Sequence, residues 1–167
     1  MRRIIGVDPG LASSGWGVIE FDNRRLRYIA HGCIETTAER PRAERLFFIY
    51  GQFVSILETY CPAESAVETL YFGRNVTSAI AVAEARGILS LALAQKGLAV
   101  REYTPNAIKQ AVTGGAKAEK RQIQEMVRLL LGLEAVPRPD HAADALAAAI
   151  CCAHEGPQIL RGWNSWT

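Results

Sequence analysis

The sequence has little of what would mark a membrane protein, a disulfide-built scaffold or a domain that coats nucleic acid with positive charge. No apolar run approaches the roughly 20 residues that a membrane span requires, and Ile4-Ile5-Gly6-Val7 is stopped by Asp8 before it could form a signal-peptide core. A cytoplasmic protein with no membrane partner is expected. The four cysteines, Cys33, Cys61, Cys151 and Cys152, include no CxxC spacing. The adjacent pair lies in a helical pattern, where neighbouring side chains point about 100° apart, so all four read as buried free thiols and not as a zinc or redox site. Charge of one sign is scarce too. Lys and Arg number 19 against 17 Asp and Glu, a formal net charge of +2, so any phosphate-binding surface must be local.

What is present suits one globular domain: 167 residues, 49% hydrophobic and 22% charged. Residues 3 to 8 form a short apolar strand that ends in an acid and meets the turn signal Pro9-Gly10. Gly15 to Phe21 and Leu26 to Ala30 read as two more strands, linked so tightly by Asp22-Asn23 that an antiparallel meander follows. Pro41 to Thr59 carries Leu46, Phe47, Tyr50, Phe53, Val54 and Leu57 at helical spacing. Glu64 to Glu68 is a brief strand, about Asn75 to Lys96 a long helix and Leu98 to Tyr103 another strand, a parallel unit with a crossover. Lys117 to Leu131 and Asp140 to Ala153 read as helices separated by Pro137-Arg138-Pro139. The expected fold is α/β, a mixed sheet of three antiparallel strands and then parallel strands, flanked by helices. Residues 1–154 form the domain, and 155–167 a tail without periodicity that is expected to be mobile.

Asp8 and Glu68 both end apolar strands. If those strands are parallel neighbours, the two carboxylates face one cleft at the carboxyl edge of the sheet, the usual place for a site in such folds. Taken singly, each acid could simply begin a solvated loop. His141 and Asp144 are three apart on a helix and share a face; so do Asp140 and Asp144, four apart, and spacing does not separate a capping role for Asp140 from a place in the site. Asp140 is assigned to the cap. Carboxylates with one imidazole suit Mg²⁺ or Mn²⁺, of which Mn²⁺ accepts nitrogen more readily. Two such ions serve phosphodiester hydrolysis. His31 and His154 read as surface or packing histidines, and Trp163 and Trp166 as anchors or parts of an unordered tail.

Several blocks in one order carry a resemblance that spans Ile4 to about His154: Ile5-Gly6-Val7-Asp8-Pro9-Gly10, Gly15-Trp16-Gly17, Ala66-Val67-Glu68, Ile108-Lys109-Gln110 with Ala118-Glu119-Lys120, and Ala142-Ala143-Asp144-Ala145-Leu146. The chain resembles the RuvC-type Holliday junction resolvases, crossover junction endodeoxyribonucleases with an RNase H-like fold. The resemblance implies a structure-selective endonuclease that makes paired metal-dependent nicks in strands of like polarity at four-way DNA junctions, leaving 5′-phosphate and 3′-hydroxyl ends. It places the catalytic and metal-binding positions on Asp8, Glu68, His141 and Asp144. Many relatives carry Asp where His141 stands, and this departure points to Mn²⁺ activation. The resemblance also implies DNA contacts: an aromatic on the junction bases from Tyr71 or Phe72, with the choice left open, and lysines near the cleaved strand at Lys109 and Lys120. Lys117, Arg121 and Arg74 could extend the phosphate track.

The segment Val76 to Ala94 is apolar on more than one face, which fits burial against both the sheet and a second subunit; alternatively, its alanines let it sink into a single core. A homodimer is expected, as is a branch-migration motor complex as partner, both implied by the resemblance. Two other functions compete. An actin-like ATPase or sugar kinase would begin with a similar strand and Asp-x-Gly turn but generally needs two lobes. A non-cleaving or RNA-processing relative would share the fold without needing all four metal positions.

Overall fold

The computed structural model describes residues 1–69 and 76–156, the side chains of 76–78 excepted. In chain order the described elements are β1 (Arg2–Asp8), β2 (Ser13–Asp22), β3 (Arg25–Glu35), α1 (Arg42–Tyr60), β4 (Glu64–Glu68), α2 (Val76–Gln95), β5 (Val100–Tyr103), α3 (Pro105–Thr113), α4 (Lys120–Leu131) and α5 (Asp140–Glu155). The sheet runs β3-β2-β1-β4-β5. β2 is antiparallel to β1 and β3, while β1, β4 and β5 are parallel. This is the mixed sheet expected from the sequence.

Side chains alternate across a strand, and the two faces of β1 enter different cores. Ile4 packs with α3, α4 and α5 on one face, whereas Ile5 and Val7 pack with α1 and α2 on the other. Both faces are covered, which is why the middle of β1 is an unbroken apolar run. Phe53 of α1 is fully buried in the second core, where truncation to Ala is expected to remove about 3–5 kcal/mol. The first core is built on α5, whose alanines are at most 1% exposed from Ala142 to Ala153. So many small side chains let α5 lie directly on the strands. A Cβ at Gly6 of β1 would fall 1.8 Å from the carbonyl oxygen of Ala145.

Five details differ from the sequence reading. β2 and β3 extend to Asp22 and Glu35, longer than expected, with a register shift between Val18 and Ile19. The nine-residue α3 was not expected at all; Thr104 caps it by accepting from the Ala107 N–H, and Pro105 supplies a pre-set first turn. α4 begins at Lys120 and not Lys117, because Glu119 and Gln122 form a reciprocal capping box. Pro139, extended at φ −70°, ends the approach to α5, and no side chain caps that helix, so Asp140 is its first residue and not its cap. Cys151 and Cys152 are buried as expected, but Cys33 is half-buried and Cys61, in the left-handed C-cap of α1, is exposed.

On α2, Leu89 and Leu93 are buried, whereas Ile80 and Leu91 are 49% and 51% exposed. The helix therefore has a covered face and an open apolar one. Among the described residues, no helix is long and apolar enough to cross a membrane. Tyr71, Phe72, Arg74 and the tail from residue 157 lie outside the described residues.

Candidate active site

β1 and β4 are adjacent and in parallel register, Val7 opposite Val67, so Asp8 and Glu68 leave the same edge of the sheet side by side. The loop after Asp8 is pinned: the Ser14 hydroxyl donates to the Gly10 carbonyl at 2.6 Å, and that of Thr36 donates to the Leu11 carbonyl at 2.5 Å. α5 crosses above this edge and brings two side chains of its first turns to Asp8. His141 Nδ1 stands 2.6 Å from Asp8 Oδ2. One ligand atom from each of Asp8, His141 and Asp144 lies within 4.8 Å of the others. Two carboxylate oxygens and an imidazole nitrogen at that spacing can hold a divalent cation with oxygen and nitrogen preference.

Glu68 is outside this trio but shares a cleft of about 230 Å³ with Asp144, Lys109 and Lys120, walled by Ile108 and Ile123. Its electrostatics contrast with those of Glu64, four residues earlier. Glu64 is gripped by Arg2 at 2.5 Å and by Arg101 at 3.1 Å, and the Arg2 hydrogen bond leads in holding its carboxyl below the usual range. At Glu68 burial, followed by the negative charges of Asp8 and Asp144, pushes the carboxyl up to about 7, against the pull of Lys109 and Lys120. Burial also raises Asp144, opposed by Lys120, and the Asp8 hydrogen bond raises His141. One end of the sheet is thus neutralised by arginines, and the other gathers acids that repel one another. Such mutual repulsion in a partly buried cluster favours a bound cation.

Lys120 Nζ reaches Asp144 at 3.2 Å and Asp140 at 3.4 Å, and Arg138 holds the second oxygen of Asp140 at 2.8 Å. Asp140 therefore belongs to the ion network around Lys120, a role its spacing left open. Lys117 and Arg121 do not enter the small cleft. They line a larger hollow of about 630 Å³ between the end of α3 and the start of α4, with Thr113 and Gly115. Arg86 was missed: its guanidinium donates to the Glu68 carbonyl at 3.4 Å and pairs with Glu102. The signal was available, since Arg86 is the single Lys or Arg in the sequence of a largely apolar helix.

A family model described as crossover junction endodeoxyribonuclease RuvC matches residues 4–152. The crossover junction endodeoxyribonuclease RuvC of Treponema denticola is 56% identical over 147 residues, 88% of this chain and 83% of the relative. That of Chloroflexus aurantiacus is 53% identical over 159 residues, 95% and 97% of the two chains. Among solved structures, T. thermophilus RuvC in complex with a Holliday junction substrate superposes with a TM-score of 0.84 at 31% identity, covering 92% of this chain and 94% of the other.

Proposed function

Because the chain belongs to the RuvC family of crossover junction endodeoxyribonucleases, we propose that it resolves Holliday junctions by paired, metal-dependent nicks in strands of like polarity, leaving 5′-phosphate and 3′-hydroxyl ends. The observation that carries the reading is the convergence of Asp8, His141 and Asp144 within 4.8 Å, with Asp144 also lining the cleft that holds Glu68. These four residues are the proposed catalytic and metal-holding set, on a nuclease domain of residues 1–154. They would hold Mg²⁺ or Mn²⁺, as two ions, which would supply acidification of a water and charge neutralisation at the scissile phosphate. The non-cleaving reading has no such support, since this chain keeps all four metal-type positions, and the family match favours the nuclease over the ATPase.

The protein's own groups do the rest. His141, hydrogen-bonded to Asp8, is oriented by that contact, and Asp8 in turn is fixed by the pinned loop behind it. Lys109 and Lys120 line the cleft and meet the phosphate; Lys117 and Arg121 continue the positive track in the hollow between α3 and α4. Tyr71, Phe72 and Arg74 keep their proposed DNA contacts from the sequence alone. A homodimer in the cytoplasm, working with a branch-migration motor, completes the reading; the open apolar face of α2 supports the dimer.

The test is cleavage of a mobile four-way junction against linear duplex, with Mn²⁺, Mg²⁺ or neither. Metal-dependent nicks confined to the junction are expected, with Asp8→Asn binding the junction but not nicking it. Normal cleavage by that variant would overturn the assignment.

A further inference from the structure

We propose that Gly15, with its cross-strand partner Cys33, is the spacer that sets how closely His141 approaches Asp8, so that both act as positioning residues for the metal-holding trio. The inference rests on reading Asp8, His141 and Asp144 as metal ligands. Gly15 pairs with Asp8 across β1 and β2, and with Cys33 across β2 and β3. Directly opposed residues on antiparallel strands share a face, and the face here is the one α5 covers. Asp8, Gly15 and Cys33 thus form a row beneath the first turn of that helix.

The contact at Gly15 is tight. A Cβ there would lie 2.0 Å from the carbonyl oxygen of His141, 2.3 Å from its carbonyl carbon and 2.9 Å from the amide nitrogen of Ala142. All three are helix backbone atoms, which cannot rotate aside as a side chain can. One added methyl must therefore lift the first turn of α5, and His141 is in that turn. Lifting that turn moves the imidazole relative to Asp8, with which it makes a 2.6 Å contact. The half-buried Cys33 lies beside the gap that Gly15 leaves, its thiol near the Ala142 backbone and the Ser13 side chain.

Gly17, two residues along the same strand, provides the contrast. A Cβ there meets the side chain of Leu146, two residues beyond Asp144, at 2.6 Å (Cδ2 and Cγ), and reaches helix backbone only at the Leu146 nitrogen, 3.1 Å away. Crowding at Gly17 disturbs core packing, and crowding at Gly15 disturbs ligand spacing.

The experiment is Mn²⁺ binding by calorimetry together with thermal unfolding on the full chain, for the wild type, Asp8→Asn, Gly15→Ala, Gly17→Ala and Cys33→Leu. Gly15→Ala is expected to weaken Mn²⁺ binding about 10–100-fold, the range typical of a lost ligand-orienting contact. Cys33→Leu, which lifts the same turn through a softer side chain, should weaken it by a smaller factor. Gly17→Ala should melt earlier with Mn²⁺ affinity unchanged. Wild-type affinity in Gly15→Ala, or an equal loss in Gly17→Ala, overturns the spacer role; if Gly15→Ala does not fold, unchanged affinity in Cys33→Leu does so. A wild type that does not bind Mn²⁺, or an Asp8→Asn that binds it equally well, overturns the metal reading and the spacer with it.

Discussion

The Lys120 ammonium stands 3.2 Å from Asp144 Oδ2, so a cation of the protein's own is already held against a carboxylate of the trio. A metal ion at Asp144 would compete with it, and Asp140, 3.4 Å from the same ammonium, is the carboxylate that can keep it nearby. Lys120→Met is therefore expected to leave Mn²⁺ affinity unchanged or tighter, since a competing charge is gone. Single-turnover nicking should fall about 10²–10³-fold, the usual loss when one preorganised charge on the reacting group is removed. A parallel fall in metal affinity and nicking would show that Lys120 serves the metal site and not the phosphate.

Glu68 makes the metal-free protein sensitive to pH in a definite direction. Its carboxyl is raised to about 7 by burial first and by Asp8 and Asp144 next. The native state then binds a proton more tightly than the unfolded chain does, so this stability is fully present below about pH 4.5 and lost as pH rises through about 7. His141, raised by Asp8, acts in the same sense. Without metal, the melting temperature should drop between about pH 5 and pH 7.5, and Glu68→Gln should flatten that slope. Mn²⁺ binding should release protons near pH 6.5 and fewer near pH 8.5, read by calorimetry in buffers of different ionisation enthalpy. A melting temperature that climbs over this range in the metal-free wild type would contradict the assignment.

Asp8 and Glu68 were legible in the sequence because each ends an apolar strand, and the parallel pairing of β1 with β4 followed from the crossover between β4 and β5 only as a condition to be met. Asp144 and His141 were legible because helical spacing puts them on one face. Asp140 was not, because Lys120 reaches it only through the folded chain, and Pro139 took the boundary position that a capping acid would have filled. α3 escaped because nine residues give too few turns for periodicity to stand out, although Thr104-Pro105 is a helix-start signal. Gly15 reads as one residue of a strand; only the crossing of α5 gives it a task.

His141 should set the metal preference. Replacing one oxygen ligand by imidazole nitrogen favours Mn²⁺ over Mg²⁺, which holds hard oxygen ligands and water more strictly. At equal concentrations, the wild type is expected to nick junctions several-fold faster with Mn²⁺. His141→Asp, which restores an all-carboxylate set, should narrow that ratio mainly by raising the Mg²⁺ rate. Equal rates with the two ions in the wild type would remove the histidine from this role.

The outer face of α2 gives the proposed dimer a specific point of attack. Ile80 and Leu91 are about three helical turns apart, half exposed, with Gly87 between them and nothing within 4 Å of the position its Cβ would take. A second copy could therefore approach closely along this line, and burying each aliphatic side chain fully would contribute up to about 1.5–3 kcal/mol. Leu91→Glu replaces that gain with a charge whose burial is unfavourable. Sedimentation should show the wild type as a dimer at micromolar concentration and Leu91→Glu as a monomer. Because Leu91 stands away from Asp8, His141 and Asp144, the monomer should still bind Mn²⁺, and the loss should fall on pairing: the two nicks in one junction would become independent events. A Leu91→Glu protein that remained dimeric would move the interface off this face of α2, and one that stayed monomeric yet nicked in pairs would remove the need for two sites in one particle.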